Sequence, residues 1–97
     1  MWAQWVKTKV KPGREGEVEE LQAKLEDRDN PAWVRSMIFA NPENPREHYI
    51  LALFKSEEAA RHHESHPEQH EMVMQLLDCY EEAPEFTDLE LIHEADR

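Results

Sequence analysis

The sequence predicts an α+β domain of element order β-α-β-β-α-β, with one antiparallel sheet and both helical regions on one face. Three observations predict it. Four segments alternate side chains with period two, and two segments between them repeat apolar residues at three and four. Proline- and glycine-bearing breaks separate these segments. The two middle strands are apolar on both faces, as strands of a covered sheet are.

The first strand is predicted over residues 2–10, with Trp2, Gln4, Val6, Thr8 and Val10 on one face and Ala3, Trp5, Lys7 and Lys9 on the other. Lys11-Pro12-Gly13-Arg14 breaks it, because proline lacks a donor and glycine permits a turn. A helix is predicted from Glu15 to Glu26. Val18, Leu21 and Leu25 form its apolar stripe, and the glutamates near its start suit the helix dipole. A second strand, 32–40, places Trp33, Met37 and Phe39 on one face and Val34 and Ile38 on the other. A turn-rich loop over 41–46 leads to a third strand, His48 to Phe54, completing a hairpin.

Ser56 is placed to cap a second helical region, which Pro67 interrupts. Ser65-His66-Pro67-Glu68 has the spacing to start a new helix, with Met72, Val73, Leu76, Leu77 and Tyr80 as its stripe. The last strand is predicted from Phe86 to His93. This order is the split βαβ, ferredoxin-like arrangement.

A chain of 97 residues makes one domain, 1–97. Its net charge of −11 repels phosphate backbones and anionic bilayers, so neither nucleic acid nor membrane is an expected partner. No apolar run approaches the roughly 20 residues of a membrane span. A single cysteine, Cys79, and no signal-like leader fit a cytoplasmic protein.

The third strand points Ile50, Ala52 and Phe54 one way and Tyr49, Leu51 and Leu53 the other. Two helical regions cover one face only. The second face would expose on the order of several hundred square ångströms of apolar surface, and a second copy of the chain is the simplest cover. A homodimer is therefore expected.

Three stretches resemble the antibiotic biosynthesis monooxygenase-like family of the dimeric α/β-barrel group. They are Val10 to Gly13 running into an acidic helix, Phe54 to Ala59 (Phe-Lys-Ser-Glu-Glu-Ala) ending the third strand, and the Ser65 to Pro67 break between helices. The resemblance covers nearly the whole chain. It implies two facing sheets in a dimer, with a pocket between helices and sheet in each subunit. Active relatives oxidise polycyclic phenols with dioxygen and no cofactor, or degrade heme; others are isomerases. The heme-degrading relatives use an Asn on the first strand, where Val6 and Gln4 stand here, and a Trp near the position of His62 or His63. His70 lies near their proximal His. Lacking that Asn and Trp, the chain departs from the heme-degrading pattern.

His62, His63, His66 and His70 fall within nine residues. Three readings stand together: a solvated polar helix face, one or two pocket histidines acting as acid or base near neutral pH, or a metal site. No established metal motif is present, and no metal or cofactor is expected. Cofactor-free oxygenation asks little of a protein: remove a phenolic proton, hold the anion and exclude water. His63 and His70 are the candidate catalytic residues. Trp2, Gln4, Val6, Trp33, His66 and Tyr80 are the candidates for binding a small aromatic ligand, and ordinary packing is the competing account of the aromatics.

Other chemistries find little support. There is no glycine-rich phosphate loop and no Cys-x-x-Cys, and Cys79 reads as a buried small hydrophobe. Asp88 and Glu90 read as an exposed edge strand. The sequence thus carries three functional expectations: a monooxygenase-like or isomerase-like enzyme acting on an aromatic or quinone-type molecule, a non-catalytic module binding a small ligand, heme or metal, or a purely structural dimer or accessory subunit.

Overall fold

In the computed structural model the chain runs β1 (Trp2–Lys9), α1 (Glu15–Glu26), β2 (Trp33–Asn41), β3 (Asn44–Phe54), α2 (Glu57–Glu64), α3 (Pro67–Asp78) and β4 (Glu85–Glu90). The structure describes residues 1–26, 31–64 and 67–97, without the side chains of Glu26, His63, Glu64, Glu68 and Gln69. The four strands form one antiparallel sheet in the order β2-β3-β1-β4, the ferredoxin-like topology. No helix among the described residues is long and apolar enough to cross a membrane.

β1 ends where Val10 leaves the ladder, bridges Tyr80 and donates its N–H to the Arg46 carbonyl at 2.8 Å. Gly13 takes φ +80°, a left-handed conformation that any side chain would strain. This reversal delivers α1 with Glu15 and Glu17 in its first turn and Lys24 in its last, all complementary to the helix dipole. Val18 and Leu21 on its inner stripe are buried with Val10, Leu76, Cys79 and Tyr80, and Leu25 packs against them. This cluster is the centre of the core.

The β2–β3 connection is tighter than the sequence suggests. Only Pro42 and Glu43 form the turn, and Asn41 Oδ1 accepts the Glu43 N–H at 3.0 Å. Pro45 then lies inside β3, although proline cannot donate to a ladder. The register explains it. Ala40 pairs with His48 and Asn41 with Asn44, so Pro45, Arg46 and Glu47 fall in an irregularity where β2 requires no N–H from residue 45.

A second irregularity corrects the predicted facing of β2. Trp33 pairs with Phe54 and Arg35 with Leu53, leaving Val34 as an extra residue. This one-residue shift exchanges faces, so Trp33 lies on the Phe54 face, opposite Met37 and Phe39. α2 starts as its sequence suggests, with the Ala59 N–H donating to the Ser56 side-chain oxygen at 3.1 Å. β4 stops at Glu90 rather than continuing to His93, and one further bond from Leu91 N–H to the Met1 carbonyl extends the pairing.

The two sheet faces differ. Thr8, His48, Ile50 and Phe54 are buried on the helix side. On the outer face Trp5 lies with ring centroids 5.7 Å from Tyr49 and 6.5 Å from Phe39. Around them Met37, Leu51 and Leu53 are half-buried, and Phe39 and Leu89 are exposed.

Candidate functional site

The strand register orders the helix side of the sheet into rows running across it. The first row is Glu90, Trp2, Phe54 and Trp33; the second is Asp88, Gln4, Ala52 and Ser36; the third is Phe86, Val6, Ile50 and Ile38. A fourth row holds Thr8, His48 and Ala40. Successive rows are about 7 Å apart, twice the rise of a strand residue. Four of the six ligand-binding residues expected from sequence, Trp2, Gln4, Val6 and Trp33, thus share a floor spanning three rows. All four are half-buried.

Trp33 satisfies its indole N–H on Ser36 Oγ at 2.8 Å. Trp2 does not: its Nε1 is buried and has no hydrogen-bond partner among the described residues. The same holds for Nδ1 of His48, two rows beyond Gln4, whose residue is 5% exposed. Over the edge of the floor, Arg61 of α2 reaches Asp88 of β4 at 2.8 Å and Glu57 at 3.8 Å. This pair ties the roof helix to the edge strand beside Gln4. Asp88 therefore has a structural partner, where the sequence suggests only an exposed edge.

Tyr80 lies beyond the fourth row, bridged to Val10 and 7% exposed within the central core. Burial pushes its phenol up to about 12, opposed by a side-chain hydrogen bond with Thr8. It is on the helix side, but the structure does not bring it to Trp2. Its neighbour Cys79 is fully buried, and burial is the first cause raising its thiol.

The histidines divide between two helices. His62 is exposed on α2 and His70 is exposed on α3, so the spacing of four across Pro67 does not make one continuous helical stripe. His63 belongs to the last turn of α2, with its side chain outside the described residues, and His66 lies outside them altogether. Among the described residues no group of three or more His, Cys, Asp or Glu side chains is placed to hold a metal ion.

A cleft of about 290 Å³ opens near the end of β1 remote from Trp2, lined by Lys7, Lys9, Asn44, Glu47, Glu82 and Glu85 among others. Its walls are charged, so it does not suit an aromatic ligand. Glu47 there accepts the Tyr49 hydroxyl, a bond that holds the Glu47 carboxyl below its usual range.

His48 and Arg61 are the features that sequence reasoning passed over. The parity of β3 places His48 on the face of Ile50 and Phe54, a signal that marks it as inward-facing. No local signal marks Arg61, because its partner is 27 residues away.

The model of the antibiotic biosynthesis monooxygenase family matches residues 1–75. The chain belongs to that family. The match spans β1 through most of α3, and so includes the whole floor except the β4 residues. Solved structures share the fold of this family member across nearly its full length. SnoaB, a cofactor-independent oxygenase from Streptomyces nogalater, superposes with a TM-score of 0.87 at 13% identity, covering 99% of this chain and 97% of that one. A conserved protein from Methanosarcina mazei gives 0.80 at 22% identity, covering 92% and 91%. Rv0793 from Mycobacterium tuberculosis gives 0.81 at 14% identity, covering 98% of each. No curated protein of assigned function matches the chain.

Proposed function

We propose that this family member is a cofactor-independent monooxygenase-like enzyme acting, as a homodimer, on a flat aromatic phenol or quinol-type molecule. The substrate would lie between α2, α3 and the helix-side floor. The observation that carries this reading is family membership over residues 1–75, which include β1 and β3, the two strands at the centre of the floor. The likeness to SnoaB, itself a cofactor-independent oxygenase, points the same way.

The floor suits such a substrate. Trp2, Trp33 and Val6 offer apolar area for a fused ring, Gln4 offers a polar contact within the same face, and His66 completes the proposed binding set, from which Tyr80 stands apart in the central core. The chemistry begins with proton removal. An electron-rich aromatic anion can reduce dioxygen itself, because spreading charge over the rings makes it a reductant. In the oxidation of a ring CH₂ to a carbonyl, the substrate carbon gives up four electrons and two protons. Dioxygen accepts the electrons; one oxygen atom enters the product and the other leaves as water. The protein's part is to take the proton, hold the anion and keep bulk water out.

His63 is the proposed base, since it lies in the last turn of the helix that Arg61 ties to the edge of the floor. His70, exposed on α3, is proposed to pass the proton to solvent. Oxygen-electrode assays with hydroxyanthrones and naphthoquinols test this. Substrate-dependent oxygen uptake is expected, reduced about 10²–10⁴-fold in His63→Ala. A smaller loss is expected in His70→Ala, recovered by concentrated imidazole buffer. No uptake with any such substrate, or full activity in both variants, overturns the proposal.

A second reading is a non-catalytic module for a small ligand, heme or metal. Val6 and the His62-His63 pair favour it, standing where the heme-degrading relatives carry Asn and Trp. Tight binding of an aromatic ligand or of heme by absorbance titration, with no oxygen uptake, would select it.

A further inference from the structure

We infer that Trp2 is a specificity-determining hydrogen-bond donor of the floor, not simply an apolar wall, and that it selects ligands presenting a carbonyl or phenolate oxygen at the Glu90–Phe54 end. The inference rests on the proposal that the helix-side floor is the ligand site.

The observation is an asymmetry between two tryptophans in one row. Trp2 and Trp33 lie on either side of Phe54, both half-buried on the helix side. Trp33 spends its N–H inside the protein, on Ser36 Oγ at 2.8 Å. The Trp2 Nε1 is removed from solvent but meets no acceptor among the described residues. An indole nitrogen can only donate. A buried donor without a partner is destabilising, and such groups are rare enough in folded proteins to need an account.

Among the described residues the register neighbours of Trp2 supply no acceptor. Trp2 is flanked by Phe54, whose side chain has no acceptor, and by Glu90, whose side chain is exposed. The next row along β1 holds Gln4 and Asp88, and Asp88 is engaged by Arg61 at 2.8 Å. The inferred acceptor is an oxygen of the bound ligand, since the described side chains beside Trp2 leave its N–H unpaired. The surrounding surface narrows its chemistry. The apolar side chains of Trp2, Phe54, Trp33, Val6 and Ile50 favour a flat, largely hydrocarbon ligand, and one neutral N–H favours a single oxygen acceptor on its rim. A hydrocarbon of the same shape would leave the N–H unpaired, and this gives the selectivity.

The test uses the full-length protein and a matched pair of probes, 1-tetralone and tetralin, which differ by one carbonyl oxygen. In ¹⁵N-labelled protein the three indole N–H resonances are assigned with Trp2→Phe and, independently, by elimination with Trp5→Phe and Trp33→Phe. Tetralone is expected to move the Trp2 indole resonance to lower field and tetralin to leave it in place. Trp2→Phe is expected to weaken tetralone binding about five- to ten-fold, the loss of one neutral hydrogen bond, while changing tetralin affinity less than about two-fold.

An unmoved Trp2 resonance at saturating tetralone overturns the inference and leaves the floor standing as a binding site. Failure of both probes to bind overturns both. If tetralone is selected through Trp2 but no substrate is oxidised, the inference holds and the oxygenase proposal fails. The wild-type titration with elimination assignment needs no Trp2 variant, so a poorly folding Trp2→Phe does not block the test.

Discussion

Leu53 and Phe54 are neighbours in β3, yet they live in different surroundings. Phe54 faces the helices and is 1% exposed, whereas Leu53 faces outward and is only half-buried. The contrast repeats along the strand, with Ile50 buried and Tyr49 and Leu51 half-covered. An alternating strand normally answers one buried face with one polar face. Here the second face carries Trp5, Tyr49, Phe39, Met37, Leu51 and Leu53, a contiguous apolar group that the helices do not reach. One face is finished by the chain's own helices. The other has the composition of a surface meant to be covered, and this supports the proposed homodimer.

The comparison breaks most directly at Phe54. Phe54→Ala should lower folding stability by about 3–5 kcal/mol, through lost burial and the cavity left under the helices. Urea denaturation reads it as a fall in the midpoint at constant slope. A cost below about 1 kcal/mol would mean that the helix side is loosely packed and that the two faces are not different in kind. On the outer face, Leu51→Asp should leave the fold intact and raise the dimer dissociation constant by at least about a hundred-fold, since it would bury a carboxylate between its register partners Trp5 and Met37. Sedimentation of wild type as a monomer at micromolar concentration would remove the reason for the apolar outer face.

A smaller effect sharpens the view of the helix side. Ser56→Ala removes the acceptor for the Ala59 N–H and should cost about 1 kcal/mol. Because α2 carries both Arg61 and His63, the same change should loosen the roof over the floor. Faster amide exchange across residues 57–64 than across 15–26 would show it.

Much of this architecture is legible in the sequence, because its causes are local. Period two on β1 puts Trp2, Gln4 and Val6 on one face, and the structure keeps them there. The bounds of α1 and the Ser56 cap follow from stripe spacing and capping chemistry. The failures have non-local causes. Nothing near Val34 signals that β2 inserts one residue opposite β3, yet that insertion moves Trp33 onto the floor. Pro45 looks like a loop residue until the pairing of Asn41 with Asn44 shows that β2 asks nothing of its nitrogen. Arg61–Asp88 and the unpaired Trp2 nitrogen depend on which strand lies beside β1, which no window of sequence contains.

The smallest expected effect concerns acid. At the end of β1 remote from Trp2, Arg46 hydrogen-bonds Glu81, and Lys9 adds an ion pair to it at 3.5 Å. The Arg46 hydrogen bond is the first cause holding the Glu81 carboxyl below its usual value of 4.5, with Lys9 helping. A depressed carboxyl favours the folded state above its unfolded pKa, and the benefit is lost as pH falls through the lower folded value, where the unfolded chain binds more protons. The site is solvent-exposed and screened, so the contribution is small. Comparing Glu81→Gln with wild type cancels most of the change in the chain's overall charge. The stability gap between them should be full at pH 7, constant down to about pH 5, and closing below the usual carboxyl range. A gap that widens on acidification would mean that Glu81 is better paired when protonated, and that the clamp between β1, β3 and the β4 approach is not electrostatic.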